Sequence, residues 1–214
     1  MPSIDVLMTL VATAALFAYV PGPAMLYTVA QTVARGRWSG LMACLGLHVG
    51  GYAHVVAAAL GLSVLFHAVP VMFLIVKLAG AAYLVWLGIG LFRQKTASHT
   101  EVLAEVAGTA PKSGLRAFAE SVTVELLNPK TAIFYLAFLP QFIDGSAALP
   151  VWAQFIILGT IVNMMFSSAD LTVVALAGVL TKKLKESGRV QRAMQRVSGG
   201  VLVGLGVHLA LQRS

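Results

Sequence analysis

The sequence predicts an all-α, polytopic membrane protein of six transmembrane helices. Three observations carry that prediction. The first is composition. The 214 residues are 58% hydrophobic and 11% charged, with a mean hydropathy of +0.86. An ordinary soluble domain is about 45–50% apolar and about 25% charged, and a soluble helical protein needs amphipathic stripes with charged outer faces. The second is the placing of the charges. No Lys, Arg, Asp or Glu occurs from Val6 to Ala34, from Trp38 to Val76 or from Gly145 to Ala169. Shorter uncharged runs cover Leu78–Phe92, Thr131–Ile143, Leu171–Thr181 and Val197–Gln212. A membrane-spanning helix needs about 20 mostly apolar residues. The third is an alternation of basic and uncharged connections.

The expected spans are 4–30, 40–65, 70–92, 117–142, 150–180 and 195–212. The first has Asp5 as its only charge, so it reads as a retained helix rather than a cleaved signal. Val20-Pro21-Gly22-Pro23 interrupts it. Proline removes a backbone donor and clashes with the preceding turn, and glycine adds backbone freedom. In the second span Gly46, Gly50 and His54 fall on one face at i, i+4, i+8, so the glycines form a groove for close helix contact. His48 lies on another face and reads as structural. Lys77, near the outer end of the third span, is expected to snorkel. Asn128-Pro129-Lys130 interrupts the fourth. The fifth carries Asn163, Ser167 and Asp170 as a polar stripe. The sixth is short and glycine-rich, and its Gly200 and Gly204 suit helix packing or dimerisation. Trp38, Trp86 and Trp152 lie near the expected ends, where interfacial tryptophans belong.

Counting Lys and Arg orients the bundle. The first connection holds Arg35 and Arg37. The third holds Arg93, Lys95, Lys112 and Arg116. The fifth holds Lys182, Lys183, Lys185, Arg189, Arg192 and Arg196. The second connection has none, and the fourth has only Asp144. Basic connections stay in the cytoplasm, so both termini are expected outside. The net charge of +7 is then explained by cytoplasmic loops, without nucleic acid. The chain reads as one transmembrane domain, 1–214, with halves of about 1–92 and 117–214 and a cytoplasmic linker of about 93–116.

An odd number of spans per half inverts the second half relative to the first. Each half also begins with a proline-interrupted span. Matching interruptions in two halves are the best sequence pointer to a transporter binding site. Broken backbone at membrane depth is tolerated only where it is buried in protein or lines a wet cavity. A break leaves N–H groups free at the start of the next half-helix, where partial positive charge favours an anion such as a carboxylate. Against this stands a simple proline kink that aids packing.

The candidate binding or coupling residues are therefore Pro21, Gly22, Pro23, Glu125, Asn128, Pro129, Lys130, Asn163, Asp170 and His54. Charge within the hydrocarbon is costly and marks function by default. Asp170 can carry a proton or meet a substrate ammonium, or it is an acid hydrogen-bonded within the bundle. Lys130 can pair with Glu125 across the break or meet a substrate carboxylate, or both lie near the headgroups. The His54 imidazole can titrate, or it is a satisfied hydrogen-bonding residue. Gly46, Gly50, Gly200 and Gly204 are the candidate packing residues.

The single cysteine, Cys44, excludes an intramolecular disulfide and a cysteine metal cluster. No hydrolase, zinc-protease or phosphate-loop motif occurs. The expectation is thus a protein that is not an enzyme, with no cofactor and no resident metal. Its partners are a small-molecule substrate, protons, the lipid bilayer and, through the glycine faces, a second copy.

Read in order, VPGPA, GRWSGLMACLGLHVGGYAH, VKLAGAAYLVWLG, LLNPKTAIFYLAFLPQF and RVSGGVLVGLGVHLAL resemble the lysine-exporter superfamily, in its homoserine/threonine-resistance branch (LysE/RhtB). The resemblance runs from about residue 18 to 212. It implies a bacterial inner-membrane exporter of amino acids or their derivatives, driven by the proton motive force. It also implies that Pro21-Gly22-Pro23 and Asn128-Pro129-Lys130 are the family's two motifs. An acid in the fifth span, as at Asp170, is common in such proteins. The alternative from another class is a non-transporting helical scaffold or subunit assembled through glycine faces.

Overall fold

The computed structural model describes residues 3–62, 70–93, 113–186 and 188–211, and every regular element among them is helical. Helix α1 is Ile4–Ala18, capped by the Ser3 hydroxyl, which accepts from the Val6 amide. It stops ahead of Pro21. Helix α2, Pro23–Arg35, starts with Pro23 in its first turn and is bent 54° from α1. Gly36 then turns the chain with φ +85°, a left-handed backbone that favours glycine. Helix α3, Arg37–Ala57, runs into a π-helical turn, Ala58–Leu62. Helix α4 is Pro70–Arg93.

The second half repeats the pattern of a broken span followed by continuous ones. Helix α5, Gly114–Leu126, is capped by Ser113. Helix α6, Pro129–Ile133, continues through a π-helical turn, Phe134–Phe138, and a 3₁₀ turn, Leu139–Phe142, at 45° to α5. Helix α7 is Val151–Glu186 and α8 is Gly188–Leu211. Among the described residues four helices are long and apolar enough to cross a membrane, and counting each bent pair as one span gives up to six.

Two boundaries differ from expectation. The basic segment after residue 180 is not a loop: α7 continues to Glu186 and α8 begins at Gly188. Lys, Leu, Glu and Arg are good helix formers, and no proline interrupts them. The connection expected around His67 and most of the expected linker, 94–112, lie outside the described residues.

Helix α3 lies flat against α5 along its glycines. A Cβ on Gly46 would sit 2.0 Å from Ser121 Oγ and 2.3 Å from the Phe118 carbonyl, and one on Gly50 would sit 2.9 Å from Glu125 Cβ. One and two turns along, the same face carries Gly50 and then His54, whose ring meets the Glu125 carbonyl at 2.8 Å. Helices α4 and α8 make a second close pair. A Cβ on Gly199 would sit 2.8 Å from the Gly88 carbonyl, and one on Gly206 would sit 2.8 Å from the Ala81 carbonyl. A Cβ on Gly200 or Gly204, the pair expected to serve helix packing or dimerisation, would meet nothing within 4 Å. The helical period turns them away from the face that Gly199 and Gly206 present to α4.

Lys77 is a second correction. Only 1% of its surface is exposed, so it does not snorkel. It shares an α4 face with Gly80, Ala81 and Leu84, and Gly80 packs directly onto Ala137 of the second π-helical turn. The core that these faces close is aromatic. The Phe134 ring is tilted against Phe17 at 4.8 Å, meets Phe166 edge-to-face at 5.3 Å and stacks on Phe138 at 5.5 Å.

The connection after α6 is pinned by one side chain. Buried Gln154 accepts from the Asp144 amide and donates to the Asp144 and Leu149 carbonyls. Asp144 in turn accepts from the Ser146 hydroxyl and amide, which hold its exposed carboxyl below the usual carboxylate range.

Gly46→Ala should force α3 and α5 apart and cost about 1–3 kcal/mol, the usual range for overpacking a close contact. Gly200→Ala should not destabilise the monomer, because its Cβ enters open space. Thermal unfolding of both variants in the same detergent checks the contrast.

Candidate functional site

The two broken spans meet at one side chain. Lys130 is the second residue of α6, and its ammonium crosses to the first span to donate to the Val20 carbonyl at 2.5 Å. It also lies 5.2 Å from the centre of the Phe17 ring. Val20 follows the end of α1, where carbonyls lack helical partners and carry partial negative charge. Lys130 therefore satisfies the backbone that the proline break leaves open. Gly22 makes this approach possible: a Cβ there would sit 3.0 Å from Lys130 Cδ.

Asn128 shapes the second break from both ends of its amide. Its Oδ1 accepts from the Lys130 amide at 3.2 Å and caps α6. Its Nδ2 donates to Glu125 Oε2 at 3.1 Å. Pro129 sits in the first turn of α6, where its missing N–H costs nothing. The corresponding start of α2 has Pro23 in the same place but no side-chain cap, because its N-cap is Gly22. The first break thus keeps an uncapped helix start, and the second is closed by its own asparagine.

Glu125, Asn128, Lys130, Asn163 and Asp170 are all buried. Glu125 and Lys130, expected to pair, to lie near the headgroups or, for Lys130, to meet a substrate carboxylate, each take another hydrogen-bond partner. Glu125 takes its hydrogen bond from Asn128, and Lys130 gives its own to Val20. Lys130 lies within electrostatic reach of both Glu125 and Asp170.

The polar stripe of α7 faces α3. Asn163 Nδ2 donates to the His48 carbonyl at 3.0 Å, and its side chain fills the space that a Cβ on Gly51 would occupy. Ser167 Oγ lies 2.6 Å from His48 Nδ1. His48, read from sequence as structural, therefore belongs to the polar column with Asn163, Ser167 and Asp170. Cys44, His48 and Gly51 recur at i, i+4, i+7 and form a second α3 face. A polar stripe on one buried helix needs a polar counterpart on its neighbour, and that pairing was the available signal. His54 is brought to Glu125, on the α5 side, and stacks on Tyr135 at 5.9 Å.

Sequence reasoning also missed a link between the half-helices on the side of the basic connections. Tyr27 of α2 donates to Glu120 Oε2 of α5 at 3.0 Å, while Arg116 pairs with Glu120 Oε1 at 3.1 Å. Among the described residues no three His, Cys, Asp or Glu side chains group as metal ligands.

Asn128→Ala removes a helix cap worth about 1 kcal/mol and strips Glu125 of a donor, worth about 1–3 kcal/mol more for a buried group. Asn128→Asp keeps the cap but sets a second carboxylate against Glu125. Both should unfold at lower denaturant than wild type, measured in micelles.

Comparison with known proteins agrees with this architecture. A family model described as LysE type translocator matches residues 15–213. A homoserine/homoserine lactone efflux protein of Salmonella typhi is 31% identical over 204 residues, covering 94% of each chain. A membrane protein of Bacillus subtilis is 30% identical over 209 residues, covering 96% of this chain and 98% of its own. A leucine efflux protein of Klebsiella pneumoniae is 29% identical over 195 residues, covering 91% of this chain and 90% of its own. No solved structure matches the chain. Two broken spans joined through a buried lysine, in a helical membrane protein matched along nearly its whole length, lead to one conclusion: the chain belongs to the LysE type translocator family.

Proposed function

We propose that this protein exports an amino acid or amino-acid derivative from the cytoplasm across a bacterial inner membrane, coupled to inward proton movement. The observation that carries the reading is the meeting of both breaks at Lys130 beside Glu125 and Asp170. One buried cation, two buried carboxyl groups within its electrostatic reach and an uncapped helix start support the reading. A zwitterion complements that set. Its carboxylate meets Lys130 and the free amides after Pro23, and its ammonium meets Asp170 or Glu125. The Val20 carbonyl holds Lys130 until a substrate carboxylate displaces it.

The efflux relatives support amino-acid export as the direction. Proline at the first turn of both α2 and α6 supports two inverted three-span halves, about 1–92 and 117–214, rocking about the site. The alternating basic connections support both termini outside. Gly200 and Gly204, open on the outer face of α8, suit a homodimer contact. The scaffold reading has no use for a buried lysine between two breaks, because removing charge would ease packing there.

Thermal unfolding with a panel of amino acids tests the site. A few related amino acids should raise the melting temperature of wild type, and their carboxyl amides should not. Lys130→Met should lose the shift. A panel that leaves wild type unmoved would count against an amino-acid site. In proteoliposomes Asp170→Asn should lose transport driven by a pH gradient while retaining exchange of internal for external substrate. Normal uphill transport by that variant would remove Asp170 from coupling.

A further inference from the structure

Two buried polar atoms stand apart from the site just described. Thr28 Oγ1 and Gln31 Nε2, both on α2, have no hydrogen-bond partner among the described residues. Both residues are 0% exposed. Leaving such groups unsatisfied costs on the order of 1–3 kcal/mol each. The orientation of the Gln31 amide is fixed by its neighbours: Arg35 donates to Oε1 at 2.6 Å and Ser39 donates to Oε1 at 3.0 Å. Nε2 is therefore the free end. The Tyr27 hydroxyl approaches Gln31 and the Cys44 thiol approaches Thr28.

Helical spacing shows where these atoms lie. A Cβ on Gly40 would touch both Thr32 Oγ1 and Val174 Cγ2, at 2.0 and 3.2 Å, so Gly40, Thr32 and Val174 share one layer. One turn toward the bilayer centre on each helix brings Cys44, Thr28 and Asp170 into the next layer. The Cys44 thiol interacts with both Thr28 and Asp170, which agrees. A further turn reaches the His48–Ser167 contact. In the other direction Gln31 follows Thr28 at i+3, about 5–6 Å away on the same face, and leads to Arg35 and Ser39 at the basic first connection.

We infer that Thr28 and Gln31 hold a short chain of internal water that carries the proton between Asp170 and the cytoplasm. The inference rests on the proposed proton coupling and gives it a route. Buried water characteristically bridges such orphaned polar groups, given two to four partners. Here Thr28 Oγ1, Gln31 Nε2, the Cys44 thiol and the Tyr27 hydroxyl provide them. The Thr28 hydroxyl both accepts and donates, so it can pass a proton. The Gln31 amide only donates, so it orients the water. As Asp170 releases its proton, one carboxyl O–H bond breaks and one water O–H bond forms. The same exchange then repeats toward Arg35. The other charged or titratable groups facing Asp170 are Glu125 of α5, Lys130 of α6 and Cys44 of α3. None of them lies between Thr28 and the cytoplasmic end of α2.

Two measurements on the whole protein in proteoliposomes test the route. Hydroxyl-radical labelling uses water beside a side chain as its source. Cys44 and Met25 are both buried, but Met25 packs in an apolar cluster. Cys44 should be modified far more than Met25, and Thr28→Val should reduce that modification. In flux measurements Thr28→Val should lose pH-driven transport to the level of Asp170→Asn while keeping wild-type exchange, and Thr28→Ser should restore it. Cys44 protected as well as Met25 would show a dry site and overturn the inference. Wild-type pH-driven transport in Thr28→Val would overturn it equally. Wild type that exchanges substrate but ignores the pH gradient would overturn the coupling reading itself, and the route with it.

Discussion

A peptide unwound inside a bilayer must find its hydrogen bonds within the protein, and this constraint organises the molecule. Lipid offers nothing to the carbonyls that the break at Pro21–Pro23 leaves open. The Lys130 ammonium answers one of them, and it does so from the other half of the chain. An ammonium is itself costly in that setting. The open helix end and the buried cation are each unfavourable alone, and each satisfies the other. Gly22 permits the approach, Asn128 aims the lysine by capping its helix, and Phe17 covers the ammonium from the apolar side.

Helix α3 is the scaffold on which this meeting is built. Three of its faces do different work. Gly46 and Gly50 admit α5 at backbone distance, and His54 extends the same face to Glu125. Gly51 and His48 receive the polar stripe of α7. Gly40 admits Thr32 of α2. Small residues suit this role because lipid supplies no hydrophobic force between helices, so close van der Waals contact must do the work. The bend in each broken span then turns its second half across a face already fixed by α3.

Much of this was legible in the sequence, for particular reasons. Charge-free runs marked the spans because charge is excluded from hydrocarbon. The prolines marked both breaks because proline cannot continue a helix unaided. The i, i+4, i+8 spacing put Gly46, Gly50 and His54 on one face whatever the neighbour. What sequence could not supply was the neighbour's identity. Glu125 lies five residues from Lys130 in sequence, yet the ammonium reaches Val20 across the bundle. Lys77 was misread because depth was judged from the span end, while its direction is set by Gly80 packing on Ala137. Gly200 and Gly204 form the better-known spacing, yet the helix rotation that places Gly199 and Gly206 on α4 is a tertiary fact. His48 was set aside for facing away from His54, although that was the face α7 needed.

The π-helical turns at Ala58–Leu62 and Phe134–Phe138 carry a consequence for how this chain can vary in length. A π turn holds one residue more than the α-helix around it. Deleting a single residue at Phe134–Phe138 would let the helix regain ordinary geometry, at little local cost. The extra residue is absorbed within the turn, so its removal leaves the helix on either side close to its present rotation, whereas a deletion in regular α-helix turns everything beyond by about 100°. The contacts at stake are the turn's own: Tyr135, whose hydroxyl donates to the Gly159 carbonyl, and Ala137, which receives Gly80. A one-residue deletion is therefore more tolerable at Phe134–Phe138 than in the regular helical turns around it.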